Sequence, residues 1–408
     1  MEFHNNNPSL PPHPTLIAIG PGPSSPPNHD HHRCFPVMIR SISSILTRFH
    51  AGYFRITLSL GSQALLWKNL IEPTSHNTIN PLIQHLFHRF HPITFVSFWA
   101  FSLVVLVFLS LVYLFRCIFH FNMVKAEFLH HVGVNYLFAP WISWLLLLQC
   151  SPWVDQKTGV YLSLWWTLVV PVVALDLKIY GQWFTTKGTK YNLTAVANPT
   201  SQMSVIGNLV GSTAAARMGW SETAMILFSL GMVHYLVLFV TLYQRLSGSD
   251  KLPAMLRPVF FLFFAAPGVA SLAWGSISGK FDTTAKMLFF LSVFLFMSLV
   301  CRPLLFKKAM RRFNVTWWAY SFPITVLAIA ATEYAEEVKG KIADVLMLIL
   351  ASMSMLVTFS LVILTLFNSK MLLPDNDPFF SSSAVTPVPH HLPTIVTRTT
   401  PLDIRRNY

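Results

Sequence analysis

From residue 50 to residue 368, long apolar stretches alternate with short polar connections. A helix needs roughly 20 mostly apolar residues to cross the ~30 Å hydrocarbon core of a bilayer. By that measure the pattern predicts ten spans, at approximately 50–70, 94–121, 132–150, 159–179, 201–218, 222–245, 257–275, 284–302, 315–334 and 342–368. The fifth span is the least apolar. Its stretch Ser-Val-Ile-Gly-Asn-Leu-Val-Gly-Ser-Thr-Ala-Ala-Ala, residues 204–216, suits close helix packing or a pore wall better than contact with lipid. The expected fold class is therefore all-α and membrane-spanning. Short connections suggest five successive helical hairpins, with the longer loop 71–93 as the exception. No clean internal sequence repeat is visible.

Proline interrupts four of these spans, at Pro140, Pro171, Pro267 and Pro323. A proline removes one backbone donor and crowds the carbonyl four residues back. In hydrocarbon that carbonyl must be satisfied by protein or water. Pro140, Pro267 and Pro323 fall in the third, seventh and ninth spans. Breaks shared by odd-numbered spans point to helices that line a cavity, the pattern of a transport pathway. Each break would also present the amides of a following half-helix, which favour anions. No acidic side chain lies near the centre of the third, fifth, seventh or ninth span, so an anion path fits better than a cation path. For each proline a packing kink is the competing reading, and it is preferred for Pro171.

Composition sharpens the class. Of 408 residues, 53% are hydrophobic and 11% charged, where a soluble domain carries roughly 25% charged residues. The net charge of +13 suggests nucleic acid at first sight. The basic residues, however, sit in short loops, with Lys307, Lys308, Arg311 and Arg312 in one of them. Lys and Arg concentrate in the tails and in the loops after even spans. The positive-inside rule then places both termini in the cytoplasm. Residues 1–48 and 370–408 are rich in Pro, Ser, Thr, Asn and His and read as disordered cytoplasmic tails flanking a transmembrane domain at 49–369. No signal peptide is visible. Cys34, Cys117, Cys150 and Cys301 show neither a disulfide framework nor metal-ligand spacing.

Few side chains suggest chemistry. Phe322, next to Pro323, could fill a narrow lumen, or it could be an ordinary packed aromatic. Arg55 could draw anions into a cytoplasmic vestibule or snorkel to the interface. Asp176 and Lys178 lie near an inner span end and can pair with neighbours. Glu333, Glu336 and Glu337 read as a solvated helix end rather than an acid–base pair. His29-Asp30-His31-His32 could bind metal adventitiously. The sequons at Asn192 and Asn314 fall on the cytoplasmic side and should be idle, and Arg40-Ser41-Ile42-Ser43 is a weak phosphorylation site. No enzyme motif stands out, and no metal or cofactor site is expected.

Several long motifs occur in order: Phe121-x-x-Val-Lys-x-Glu-Phe-x-His130, Val134-Asn-Tyr-Leu-Phe-Ala-Pro-Trp141, Leu177-Lys-Ile-Tyr-Gly-Gln-Trp183, Ala197-Asn-Pro-Thr-Ser201, the run His234–Leu246, and Trp317-Trp-Ala-Tyr-Ser-Phe-Pro323. Over about residues 50–370 the chain resembles the plant slow-type anion channels of the tellurite-resistance/dicarboxylate transporter superfamily. The resemblance implies a homotrimer in the plasma membrane. Each subunit would be a ten-helix, quasi-fivefold ring of hairpins around its own pore, with the odd helices inside. It implies slow, weakly voltage-dependent, passive chloride and nitrate efflux that serves anion homeostasis. A phenylalanine at the position of Phe322 would occlude the pore, and no cofactor would be needed. The short tails point to the short-tailed homolog branch and weaken the case for kinase gating. Arg55 stands where the guard-cell members carry a small residue, and no proline bends the first span. Two alternatives remain open: a carboxylate (malate) transporter of the same superfamily, and a silent modulatory subunit that conducts only in a heteromer with a related partner.

Overall fold

A computed structural model describes residues 43–71, 92–185, 197–247, 254–307, 309–311 and 313–368. The predicted tails lie outside these residues except for 43–48, which are helical. The His29–His32 run, most of the Arg40–Ser43 site, the loop at 72–91 and the sequon at Asn192 lie outside them as well.

The described residues contain helices and no strand. They are α1 (Arg55–Ile71), α2 (Pro92–Phe119), α3 (Phe121–Leu129), α4 (Phe138–Gln149), α5 (Gly159–Thr185), α6 (Gln202–Arg217), α7 (Ser221–Ser247), α8 (Leu262–Ser278), α9 (Thr283–Val300), α10 (Ser321–Val338) and α11 (Lys341–Phe367). Among the described residues, seven helices are long and apolar enough to cross a membrane. The count becomes eight if α3 and the segment Gly133–Gln149, which meet at a 105° bend, form one broken span.

The other two, α1 and α6, are shorter, at 17 and 16 residues, and partly polar, and packing explains that polarity. The helices α1, α4, α6, α8 and α10 pack on one another in a closed cycle, α1 to α4, α4 to α6, α6 to α8, α8 to α10 and α10 back to α1. Each also packs on the next long helix in sequence, α2, α5, α7, α9 or α11. Those five present exposed Leu, Val, Ile and Phe to the outside, whereas the window spanning α10 is 94% buried and that of α9 only 22%. A helix shielded on all sides need not be apolar. Accordingly α1 buries Thr57, Ser59, Ser62 and Gln63, and α6 buries Gln202, Ser204, Asn208, Ser212 and Thr213.

Two of the prolines sit differently from the expected mid-span bends. Pro140 is the third residue of α4 and Pro323 the third residue of α10. There the missing N–H is one that a first turn leaves unpaired anyway. The interruption lies just upstream instead. A one-turn helix, Gly133–Tyr136, precedes α4, and a 3₁₀ segment, Val315–Tyr320, precedes α10. Pro267 lies within α8, which follows the 3₁₀ segment Ala254–Phe261. Pro171 lies inside the continuous α5.

The starts of four of the five inner helices share a further device that the sequence pattern did not reveal. His50, Asn198 and Asn314 are extended residues, each followed by a 3₁₀ segment, and each side chain accepts a hydrogen bond from the backbone N–H two residues on. The distances to Gly52, Thr200 and Thr316 are 3.0, 2.9 and 3.0 Å. Ahead of α4, His130 Nδ1 accepts from the N–H of Gly133 at 3.2 Å. Asn314 thus serves as a helix-start cap inside the sequon predicted to be idle.

Candidate anion pathway

Arg55 opens α1 and is 5% exposed. Its Nε donates to the Gly52 carbonyl at 2.8 Å, and its guanidinium carbon lies 4.6 Å from the centre of the Tyr136 ring. Nη1 and Nη2 have no hydrogen-bond partner among the described residues. This side chain does not snorkel; it is folded inward, with two of its nitrogens unpartnered among the described residues. Gly52 is required by the close approach, because a Cβ there would stand 2.5 Å from the His50 ring and 2.8 Å from Arg55 Nη2.

Glu127, within the Phe121–His130 motif, ties this region together. It accepts from the Ala51 N–H at 2.8 Å and pairs with Arg116 at 3.6 Å, with both side chains buried. A Cβ on Gly133 would meet the Glu127 carbonyl at 2.6 Å, so that turn also depends on glycine.

Phe322, in the first turn of α10, is 1% exposed. Phe54 and Phe264, also fully buried, stack edge-to-face on Tyr113 and Phe296. Phe322 makes no such ring contact among the described residues. Its helix is fixed by a polar seam instead. Gln63 Oε1 accepts from Thr325, Ser354 and Thr358 at 3.2, 2.9 and 3.3 Å, and Ser321 meets Thr358 at 2.8 Å. Gln63 Nε2 is left without a partner among the described residues. Further down the seam, Ser59 donates to the Trp318 carbonyl at 3.1 Å. Arg55 precedes Ser59 by one turn and Phe322 follows Trp318 by one turn. In this parallel pair Arg55 therefore sits on the helix-start side of the phenylalanine. Sequence reasoning passed over Gln63, although a glutamine inside an otherwise buried span was the available signal.

Asp176 and Lys178 do not pair with each other. Asp176, buried on α5, accepts from Ser204 and Asn208 of α6, both at 2.6 Å. Ser204 also meets Nδ1 of His234, whose ring stacks on Tyr180 at 3.5 Å. Lys178 lies over the Phe128 ring at 3.6 Å and contacts the Phe128 carbonyl. Of the predicted acidic cluster, Glu337 pairs loosely with Lys286 at 3.9 Å. Glu333 instead faces a pocket described below.

Apolar helices surrounding a cycle of buried, partly polar ones, with a buried guanidinium at one end, define a helical membrane protein built to pass a solute. Its relatives give the solute a class. The protein belongs to the SLAC1 family, described as voltage-dependent anion channels, which matches residues 48–366. It is 56% identical over 342 residues to the S-type anion channel SLAH1 of Arabidopsis thaliana, covering 84% of this chain and 87% of that one. It is 42% identical over 328 residues to the guard cell S-type anion channel SLAC1 of the same plant, covering 79% and 56%. A tellurite resistance protein TehA homolog of Haemophilus influenzae, 25% identical over 297 residues and covering 69% and 80%, extends the relation to the wider superfamily.

Proposed function

We propose that the protein is a plasma-membrane anion channel that passes chloride and nitrate passively, slowly and with weak voltage dependence. In this reading residues 49–369 form ten spans, arranged as five hairpins in a quasi-fivefold ring around a central pore. Both tails are cytoplasmic, and three copies associate, each with its own pore. The closed packing cycle of α1, α4, α6, α8 and α10 supports the ring, and the S-type relatives support the solute class.

The observation that carries the reading is Arg55. A buried cation with two unspent donors attracts anions and repels cations. Beyond it, Phe322 blocks the path until it moves, and the helix starts at Pro140 and Pro323, with α8 bent at Pro267, supply further positive potential without a basic cage. Voltage clamp of expressing cells in chloride and then nitrate tests this. Currents that reverse with the imposed anion gradient support it. Their absence, both alone and with a co-expressed relative, would overturn it, while current only on co-expression would mark a modulatory subunit.

A carboxylate carrier is the second reading, and Asp176 is what favours it. A buried carboxylate with hydroxyl, amide and imidazole neighbours is a group that could take up a proton. Proton-coupled malate uptake without matching current would decide for the carrier.

A further inference from the structure

At the opposite end of the inner helices is a pocket of ≈ 370 Å³ lined by α1, α6, α8 and α10 and by the loop between α4 and α5. Lys68 comes from the end of α1, Gln156 from the loop after α4, Arg217 from the end of α6, Lys280 from just beyond α8 and Glu333 from α10. Three cations thus face one carboxylate. No ion pair or hydrogen bond joins Glu333 to Lys68, Arg217 or Lys280 among the described residues, although Arg217 is close enough to act on Glu333 through its charge. A water occupies about 30 Å³ of liquid, so the pocket has room for a small anion with much of its shell.

The pocket aligns with Phe322. From Phe322 to Glu333 is eleven residues, which at about 100° per residue is three turns plus roughly 20°. Phe322, Val326, Ile329 and Glu333 therefore share one stripe of α10, and the first three are buried. The stripe begins at the phenylalanine and ends in the pocket, about 16 Å further on by helical rise.

We propose that this pocket is an anion-binding antechamber for a hydrated monovalent inorganic anion, in which Lys68, Arg217 and Lys280 attract the ion and Glu333 keeps its binding loose enough for release. The proposal rests on the anion-channel reading and adds a second station on the same path. A conducting site must bind well enough to admit an ion and weakly enough to let it go. A carboxylate beside three cations lowers the local excess charge without abolishing it. The competing account is that basic side chains at helix ends merely offset the helix dipoles. In that account Glu333 has no bearing on anion affinity.

The test measures binding apart from conduction. Thermal midpoints of the purified full-length protein are recorded against sodium nitrate at constant ionic strength, because a ligand that binds the folded state raises the midpoint with its concentration. Glu333→Gln should reach half its stabilisation at about three- to tenfold lower nitrate than wild type, and Arg217→Gln at correspondingly higher nitrate. Arg217→Lys, which keeps the charge, should track wild type and guards against misfolding of the glutamine variant. The same nitrate dependence in wild type, Glu333→Gln and Arg217→Gln overturns the antechamber, whatever the currents show. The expected shifts in a protein that carries no anion current would uphold the site and refute the channel reading instead.

Discussion

Arg116 and Glu127 stand 3.6 Å apart with both side chains buried, and the same carboxylate holds the N–H of Ala51 at the start of the first inner segment. One acid thus links the end of α2, the short α3 and the chain leading into α1. Removing one partner of a buried pair leaves an uncompensated charge, at a cost of about 3–5 kcal/mol. Glu127→Ala should lower the thermal midpoint sharply. Arg116→Met together with Glu127→Leu should recover much of the loss, measured by detergent-solubilised melting. An unchanged midpoint in the single variant would show that the pair contributes nothing.

Phe322→Ala should raise basal anion current several-fold at equal surface expression. Were the ring only core packing, its loss would instead destabilise the protein by about 3–5 kcal/mol. Whole-cell current normalised to surface protein, read beside melting data, separates the two roles.

Arg55→Gln and Arg55→Glu should both reduce anion conductance, with the glutamate variant lower. The difference should widen in dilute salt, where the Debye length is roughly 30 Å at 0.01 M. Conductance at two ionic strengths is the measurement, and equal values in wild type and both variants would remove Arg55 from the pathway.

Epitope tags inserted near residues 10 and 400 should stay inaccessible to antibody on intact cells, and a tag near residue 78 should be accessible. The expectation follows from an even number of spans and from the basic residues of the predicted inner loops. Surface labelling of either tail would break the ten-span reading.

Asp282 caps α9, accepting from Ala285 N–H at 3.1 Å and from the Trp274 indole at 3.0 Å. Slight burial raises its pKa, but these hydrogen bonds, one from Thr284 and nearby Lys280 outweigh it and hold the carboxyl below the usual range. A depressed folded pKa contributes stability that is present above the unfolded value of about 3.9 and is lost as pH falls through the folded value. Asp282→Ala should therefore cost about 1 kcal/mol near neutrality. The gap in melting temperature from wild type should close in acid below about pH 4. A gap that persists there would assign the effect to packing.

Much of the helical layout was legible because apolar length is a strong signal. Helices occupy the ranges expected for every candidate span, including the small-residue segment at 204–216. The side chains at the helix starts were harder to read. His50, His130, Asn198 and Asn314 perform one task with two residue types and unequal spacing, so no repeat was visible in the letters. Pro140 and Pro323 signalled interruptions but not their position, since a proline marks the turn that begins after a break as readily as the break itself. Arg55 left two readings open, because an arginine near a span end can fold inward or outward, and only the neighbouring Gly52 and Tyr136 decide. Glu333 was grouped with Glu336 and Glu337 by adjacency in sequence, whereas the helical period turns it toward Lys68, Arg217 and Lys280.

The polarity of α1 and α6 also bears on how the chain is made. A segment carrying Arg55, Thr57, Ser59, Ser62 and Gln63 partitions poorly into lipid by itself, because its buried polar side chains would lose their partners there. The shelter of α1 comes from neighbours that emerge from the ribosome after it, and α6 finds part of its shelter in α7 and α8, which also follow it. During biosynthesis α1 therefore waits at the insertion machinery until α2 follows, so the assembling unit in the membrane is the helix pair rather than the single helix.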